Sequence, residues 1–182
     1  MDKDKLILNL DLARDTYLLS ILSLAHFISQ DELPLDKIKI TLRDPETKEE
    51  GVINFDHFKS FWNNVAEKKM RQEEAAVAFR KSYINISYEL VMDYCIRTKQ
   101  TEIFSKQSWY PFLRALRNVA SHHADTRLIL WPDNYIKNGI TEVKWEHYVI
   151  KKGMMGKEVK MSDINTLKLI NELYTFVVNT LK

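Results

Sequence analysis

The stretch Trp109-Tyr-Pro-Phe-Leu-Arg-Ala-Leu-Arg-Asn-Val-Ala-Ser-His-His123 decides the fold class, because its apolar residues recur at the spacing of a helix with one buried face. At about 100° of rotation per residue, that face collects Trp109, Phe112, Leu113, Leu116, Val119 and Ala120. The other side of the helix collects Arg114, Arg117, Asn118, Ser121 and His122. His123 returns to the apolar face. The stretch therefore predicts an amphipathic helix with a cationic polar face.

This polar face is unusual because residues 107–124 contain no carboxylate. A helix that only faces solvent usually carries acidic residues among its charges, for solubility and for pairing with cations one turn away. Two interpretations stay open. The arginines and histidines complement the dipole at the end of a helix, or they form a site for an anionic group in which His122 moves a proton near neutral pH.

Within the helix, Arg117-Asn118-Val-Ala-Ser-His122 has the order arginine, polar residue, three further residues, histidine. This order resembles the signature of HEPN domains (higher eukaryote and prokaryote nucleotide-binding), which are all-helical and are often metal-independent ribonucleases. The position of the motif is also similar, since it ends a late amphipathic helix that follows a long helix and precedes a final one. The resemblance implies a helical fold and an RNA substrate.

The resemblance also implies a role for each motif residue. His122 would act as general base or acid on the ribose 2′-hydroxyl. Arg117 would hold the scissile phosphate and stabilise the charge that grows on its oxygens, a task suited to a guanidinium. Asn118 would orient His122 or the phosphate. Arg114 and Ser121 are candidates for substrate binding that come from the helical wheel and not from the family motif.

The wheel and the family resemblance together predict a homodimer. Arg117 and His122 lie about 140° apart around the helix, which is an awkward arrangement for holding one phosphate from a single copy. HEPN domains usually dimerise with two motif helices facing each other. Bacterial relatives often serve as toxins or phage-defence effectors, with a nucleotidyltransferase-type antitoxin as partner. Two other hypotheses remain: a catalytically silent HEPN-like module that binds RNA, a nucleotide or a protein, and a plain helical scaffold.

Length and composition favour one helical domain over residues 1–182. Four glycines and four prolines leave little room for the turns of an all-β fold. The net charge of +2 gives no overall basic field, so any contact with RNA must be local. Because the sequence has no glycine-rich phosphate loop and no metal-ligand spacing, we expect neither a cofactor nor a metal ion.

The sequence also predicts a cytoplasmic protein that does not enter a membrane. Cys95 is the single cysteine, so no internal disulfide can form. The first residues lack the features of a signal peptide. The apolar run 6–28 is interrupted by Asp11, Arg14 and Asp15, which a membrane-spanning segment would rarely carry.

Apolar periodicity places helices at about 5–28, 56–66, 70–98, 109–123 and 163–181, and a short extended piece at 37–42. A wide apolar stripe on the first helix, including Leu18 and Leu22, predicts burial against more than one neighbour. We therefore expect an up-and-down bundle of about five helices with a β-hairpin inserted before the last helix.

The hairpin insertion is expected at about residues 140–161. Alternation over 141–150 puts Val143, Trp145, His147 and Val149 on one strand face, so His147 is expected to pack beside Trp145. The tip carries Lys151, Lys152, Lys157 and Lys160. These lysines form either a solvated turn or a contact with an RNA backbone.

Overall fold

A computed structural model of the chain describes residues 1–29, 40–43, 46–53, 62, 64–121 and 128–182. Its helices are α1 (Lys3–Ser29), α2 (Val65–Arg97), α3 (Thr101–Ser105), α4 (Tyr110–Ser121), α5 (Asp133–Lys137) and α6 (Asp163–Asn179). Its strands are β1 (Ile40–Arg43), β2 (Glu50–Ile53), β3 (Glu142–Trp145) and β4 (Tyr148–Lys151). A 3₁₀ turn covers Gly156–Glu158. The fold is mainly helical with a hairpin before the last helix, which confirms the predicted fold class.

The chain divides into two compact units. The core unit contains residues 1–19 and 78–182, and the second unit contains residues 20–77. In the second unit β1 and β2 pair antiparallel with Arg43 opposite Glu50, and the ring of Phe27 meets Trp62 edge-on at 4.7 Å. The prediction that residues 1–182 form one domain stays a prediction.

The hairpin side of the core unit is organised by the apolar face of α4. Trp109, Phe112, Leu113, Leu116 and Val119 are buried as predicted, while Ala120 is half-buried. The ring of Phe112 lies 6.0 Å from that of Trp145 on β3 and 6.4 Å from that of Tyr148 on β4. Burying such a side chain contributes about 1.5–3 kcal/mol. The hairpin therefore helps to fix α4 through its apolar face.

The start of α4 lies beside an aromatic cluster from α3 and α6. Tyr110, the first residue of α4, meets Phe104 of α3 edge-on at 4.8 Å. Phe104 is fully buried and stacks on Phe176 of α6 at 5.5 Å. This aromatic cluster holds the start of α4, and the polar side of the helix is left for other contacts.

The first helix buries a narrower apolar stripe than the sequence predicts. α1 buries Leu6, Leu10 and Tyr17. Leu18 and Leu22, which were predicted to widen the stripe, are 42% and 65% exposed, so that expectation is wrong. A leucine-rich helix is apolar on more sides than its neighbours cover, and the sequence pattern alone does not show which side is covered.

The long helix α2 begins at Val65 instead of near Met70. The helix predicted at 56–66 lies mostly outside the described residues, although Trp62 is helical. Strand β1 overlaps the extended piece predicted at 37–42. Cys95 on α2 is fully buried, and burial raises the pKa of its thiol to about 11.

The hairpin lies inside the predicted insertion, but its turn is at Glu146 and His147, between β3 and β4. The turn resets the alternation, so Ile150 is buried on β4 and His147 is exposed. The expectation that His147 packs on the face of Trp145 is wrong, since His147 is exposed in the turn and its tilted ring lies 4.1 Å from that of Tyr148. Glu146 adopts a φ of 50° without the glycine or asparagine that usually signals such a turn.

Candidate functional site

The polar side of α4 carries the predicted site residues that the structure describes. Arg114, Arg117 and Asn118 are half-buried and Ser121 is exposed. His122, the predicted acid or base, lies outside the described residues, as does His123. The structure therefore brings two arginines, an amide and a hydroxyl together on one helix.

Arg117 is held by a carboxylate from another helix. Its Nε donates a hydrogen bond of 2.7 Å to Oε1 of Glu89 on α2, and its Nη2 donates to the same oxygen. The guanidinium carbon also lies 5.8 Å from the ring centre of Tyr88, within the range of a cation–π contact. The Arg117 side chain is 31% exposed. It is thus fixed between two helices and still reached by solvent.

Both polar atoms of the Asn118 side-chain amide form hydrogen bonds. Its Nδ2 donates to the carbonyl oxygen of Leu130 at 2.9 Å. Its Oδ1 receives a long hydrogen bond of 3.4 Å from Nη1 of Arg117. These two bonds fix the orientation of the side-chain amide. Asn118 thereby links the Glu89–Arg117 ion pair to the segment that precedes α5.

Arg114 has a different environment from Arg117. Its guanidinium carbon lies 5.5 Å from the ring centre of Tyr135 on α5. Within the described ranges, no carboxylate pairs with it. A half-buried cation that stacks on a ring and lacks a counter-charge is suited to receive an anion.

Ser121 closes the described part of the helix. Its hydroxyl donates to the carbonyl oxygen of Arg117, one turn earlier, at 3.0 Å. This bond satisfies the donor within the helix, as is common for serine at such positions. The hydroxyl oxygen keeps lone pairs, so in contact with a substrate Ser121 would accept a hydrogen bond.

The aromatic residues beside the two arginines are neutral groups. Burial raises the pKa of Tyr135 to about 12, although the positive charge of Arg114 opposes this shift. Burial also raises the pKa of Tyr88, with a hydrogen bond to Tyr110 as a further cause. These phenols keep their protons near neutral pH, so Tyr88 and Tyr135 add no charge beside Arg114, Arg117 and Glu89.

Glu89 is the site residue that sequence reasoning did not identify. Its position on α2 is compatible with a cleft or with solvent, and the sequence pattern does not decide between them. The one available signal was on the other helix: α4 carries cations and no carboxylate, so a counter-charge had to come from elsewhere. Which residue supplies it depends on how α2 and α4 pack.

Two other features, a metal-binding cluster and a membrane-spanning helix, are not found among the described residues. Among the described residues, no group of three or more histidine, cysteine, aspartate or glutamate side chains is arranged to hold a metal ion. Nor does the described part of the chain contain a helix long and apolar enough to cross a membrane.

Comparisons with other proteins give no family assignment. No family model matches the chain, and no similar protein is found among curated proteins or among solved structures.

Proposed function

We propose that this protein is a metal-independent endoribonuclease of the HEPN type, with Arg117 and His122 at its active site. The observation that carries the proposal is the anchoring of Arg117. Glu89 accepts hydrogen bonds from Nε and Nη2 on one edge of the Arg117 guanidinium, and on the other edge Nη1 makes only a long hydrogen bond of 3.4 Å to Asn118 among the described residues. An arginine whose side chain is already held by a carboxylate is suited to bind a phosphate through paired hydrogen bonds.

The proposed reaction is an attack of the ribose 2′-oxygen on the adjacent phosphorus. His122 takes the proton of the 2′-hydroxyl while water gives one to the departing 5′-oxygen, or His122 gives that proton while water takes the one from the 2′-hydroxyl. The bond from phosphorus to the 2′-oxygen forms as the bond to the 5′-oxygen breaks, which yields a 2′,3′-cyclic phosphate and a 5′-hydroxyl. Arg117 stabilises the negative charge on the non-bridging oxygens during this step, and Arg114 and Ser121 contact the neighbouring backbone.

We propose further that two copies form the active site. The sequence spacing of Arg117 and His122 corresponds to about 140° of helical rotation, so a phosphate between two facing motif helices is better placed to meet both groups. The pairing also brings Arg114 and Arg117 from each copy into one cleft, where the four arginines outnumber the two Glu89 carboxylates and give a local positive field to a chain whose net charge is only +2. Light scattering on the purified protein at micromolar concentration should give the mass of a dimer.

A cytoplasmic toxin or phage-defence effector is the biological role we propose, with RNA as substrate and a nucleotidyltransferase-type antitoxin as partner. This part rests on the resemblance of the Arg117–His122 motif to HEPN toxins. Expression of the chain alone should arrest bacterial growth, and His122→Ala should abolish the arrest.

The test of the activity is an RNA cleavage assay with the purified chain in excess chelator. The expected products end in a 2′,3′-cyclic phosphate or its hydrolysis product. DNA of the same sequence should survive because it lacks the 2′-hydroxyl. Loss of cleavage in chelator that magnesium restores would overturn the metal-independent mechanism.

A second candidate function is a catalytically silent module that binds RNA, a nucleotide or a protein. It is favoured by the partners that the motif residues already have, since Arg117 is paired with Glu89 and Asn118 with the Leu130 carbonyl. RNA binding without any cleavage would support this candidate over the nuclease.

A further inference from the structure

The contact between Glu89 and Arg117 does more than orient a side chain. A guanidinium has a side edge formed by Nε and one terminal nitrogen, and an end edge formed by the two terminal nitrogens. Oε1 of Glu89 receives hydrogen bonds from Nε and Nη2, which together form the side edge. An anion that binds Arg117 in this arrangement therefore approaches the end edge, near Nη1 and Asn118.

An anion on the end edge would share Nη2 with the Glu89 carboxylate. Two acceptors on one guanidinium lie within roughly 6 Å of each other, since each sits at hydrogen-bond distance from its nitrogen. Repulsion over that distance scales with the charge of the incoming group. A phosphodiester inside an RNA chain carries one negative charge, whereas the monoester at an RNA end carries close to two above pH 7.

We infer that Glu89 is a specificity-determining residue: it holds the side edge of Arg117 and shifts the preference of the site toward a singly charged phosphodiester and away from a doubly charged terminal phosphate. The inference rests on the proposed function, in which Arg117 receives a phosphate of RNA. It adds the residue that disfavours a terminal phosphate relative to the internal linkage that an endoribonuclease cleaves. It also gives a reason for a carboxylate to stand beside a phosphate-binding arginine.

The test compares two small probes that differ in this charge. Dimethyl phosphate is a diester that carries one negative charge. Methyl phosphate is a dianion at about pH 7.5, because its second pKa is about 6. Binding of each is followed by NMR through the Nε–H signal of Arg117, which is assigned by its loss in Arg117→Ala. The measured quantity is the ratio of the two affinities.

Three variants separate charge from geometry. Glu89→Gln keeps an oxygen that accepts from Arg117 and removes the negative charge, so the ratio should rise at least about threefold in favour of methyl phosphate. Glu89→Ala removes the accepting oxygen and the negative charge. It should therefore show the same rise in the ratio as Glu89→Gln, but it should bind each of the two probes more weakly than Glu89→Gln. Asp93→Asn removes a charge from the next turn of α2, where it pairs with Arg97, and should leave the ratio near that of the wild type.

Two results would overturn the inference. One is an unchanged ratio in Glu89→Gln while both probes still bind at Arg117. The other is an equal rise in Asp93→Asn, which would make the effect one of general charge. If neither probe binds at Arg117 in any variant, the proposed phosphate site falls together with the inference. A charge-selective site in a protein that cleaves no RNA would uphold the inference and reject the nuclease.

Discussion

Two arginines of the core unit are paired in contrasting ways. Arg97 on α2 pairs with Asp93, one turn away on the same helix, at 3.0 Å, and the two side chains are 61% and 47% exposed. Arg117 on α4 pairs with Glu89 on a different helix, and its side chain is only 31% exposed. The first pair joins neighbours on one helix, and the second joins two helices.

The difference shows what each pair is able to do. A pair within an exposed helix contributes about 0.3–0.5 kcal/mol and positions nothing outside that helix. A pair between helices sets the direction in which a half-buried cation faces. We therefore take Arg117 to be a positioned group and Arg97 to be a helix-surface charge.

The comparison depends on α4 being held in place by its apolar face. Phe112→Ala removes a fully buried ring that contacts the hairpin, and we expect it to lower the free energy of unfolding by about 3–5 kcal/mol. Chemical denaturation of the purified variant measures this loss. Arg117→Ala on the same helix should cost about 1 kcal/mol or less. Equal losses from the two variants would mean that the polar side of α4 is part of the structural core.

Removal of the positioned arginine should affect chemistry. Arg117→Ala should reduce RNA cleavage by roughly 10²-fold or more, the usual cost of losing a donor to a charged transition state. Arg97→Ala is the matched control, with the same side chain removed from an ion pair, and should cleave like the wild type. The rates are compared per folded molecule. Similar losses in both variants would contradict the contrast between the two pairs.

A conservative change sharpens the same comparison. Arg117→Lys keeps the charge and loses the planar fork that binds Glu89 through two nitrogens, so it should recover little of the cleavage lost in Arg117→Ala. Arg97→Lys should be silent. If Arg117→Lys cleaves at nearly the wild-type rate, charge alone is sufficient and the anchored geometry has no role.

The smallest effect concerns stability. Double-mutant cycles with alanine should give a coupling of about 0.5–1 kcal/mol for Glu89 and Arg117, and about 0.3–0.5 kcal/mol for Asp93 and Arg97. Both couplings are measured by denaturation at low ionic strength. A larger coupling for the Asp93–Arg97 pair would remove the energetic part of the contrast.

The sequence predicted the parts of the fold that depend on local periodicity. The buried face of α4 follows from the spacing of Phe112, Leu113 and Leu116, and α6 begins at Asp163 as the pattern indicates. The spacing of Asp93 and Arg97 is likewise visible in the sequence.

The parts that were missed depend on contacts between distant segments. Glu89 lies 28 residues before Arg117, and no periodicity connects them. The exposure of Leu22 depends on which side of α1 has a neighbour. In the turn, Glu146 has a left-handed backbone conformation that glutamate rarely adopts, so the sequence does not indicate it. The sequence therefore identified the candidate site residues on one helix, but it did not identify Glu89, the carboxylate that pairs with Arg117.

The most direct test of the central claim, an Arg/His site built from two copies, is complementation between two inactive variants. Arg117→Ala and His122→Ala are purified separately, mixed, and allowed to exchange subunits. In a mixed dimer, one of the two sites keeps the arginine of one copy and the histidine of the other. We predict that the mixture recovers about a quarter of the wild-type RNA cleavage, while neither variant cleaves alone. A mixture that exchanges subunits and remains inactive would contradict the claim.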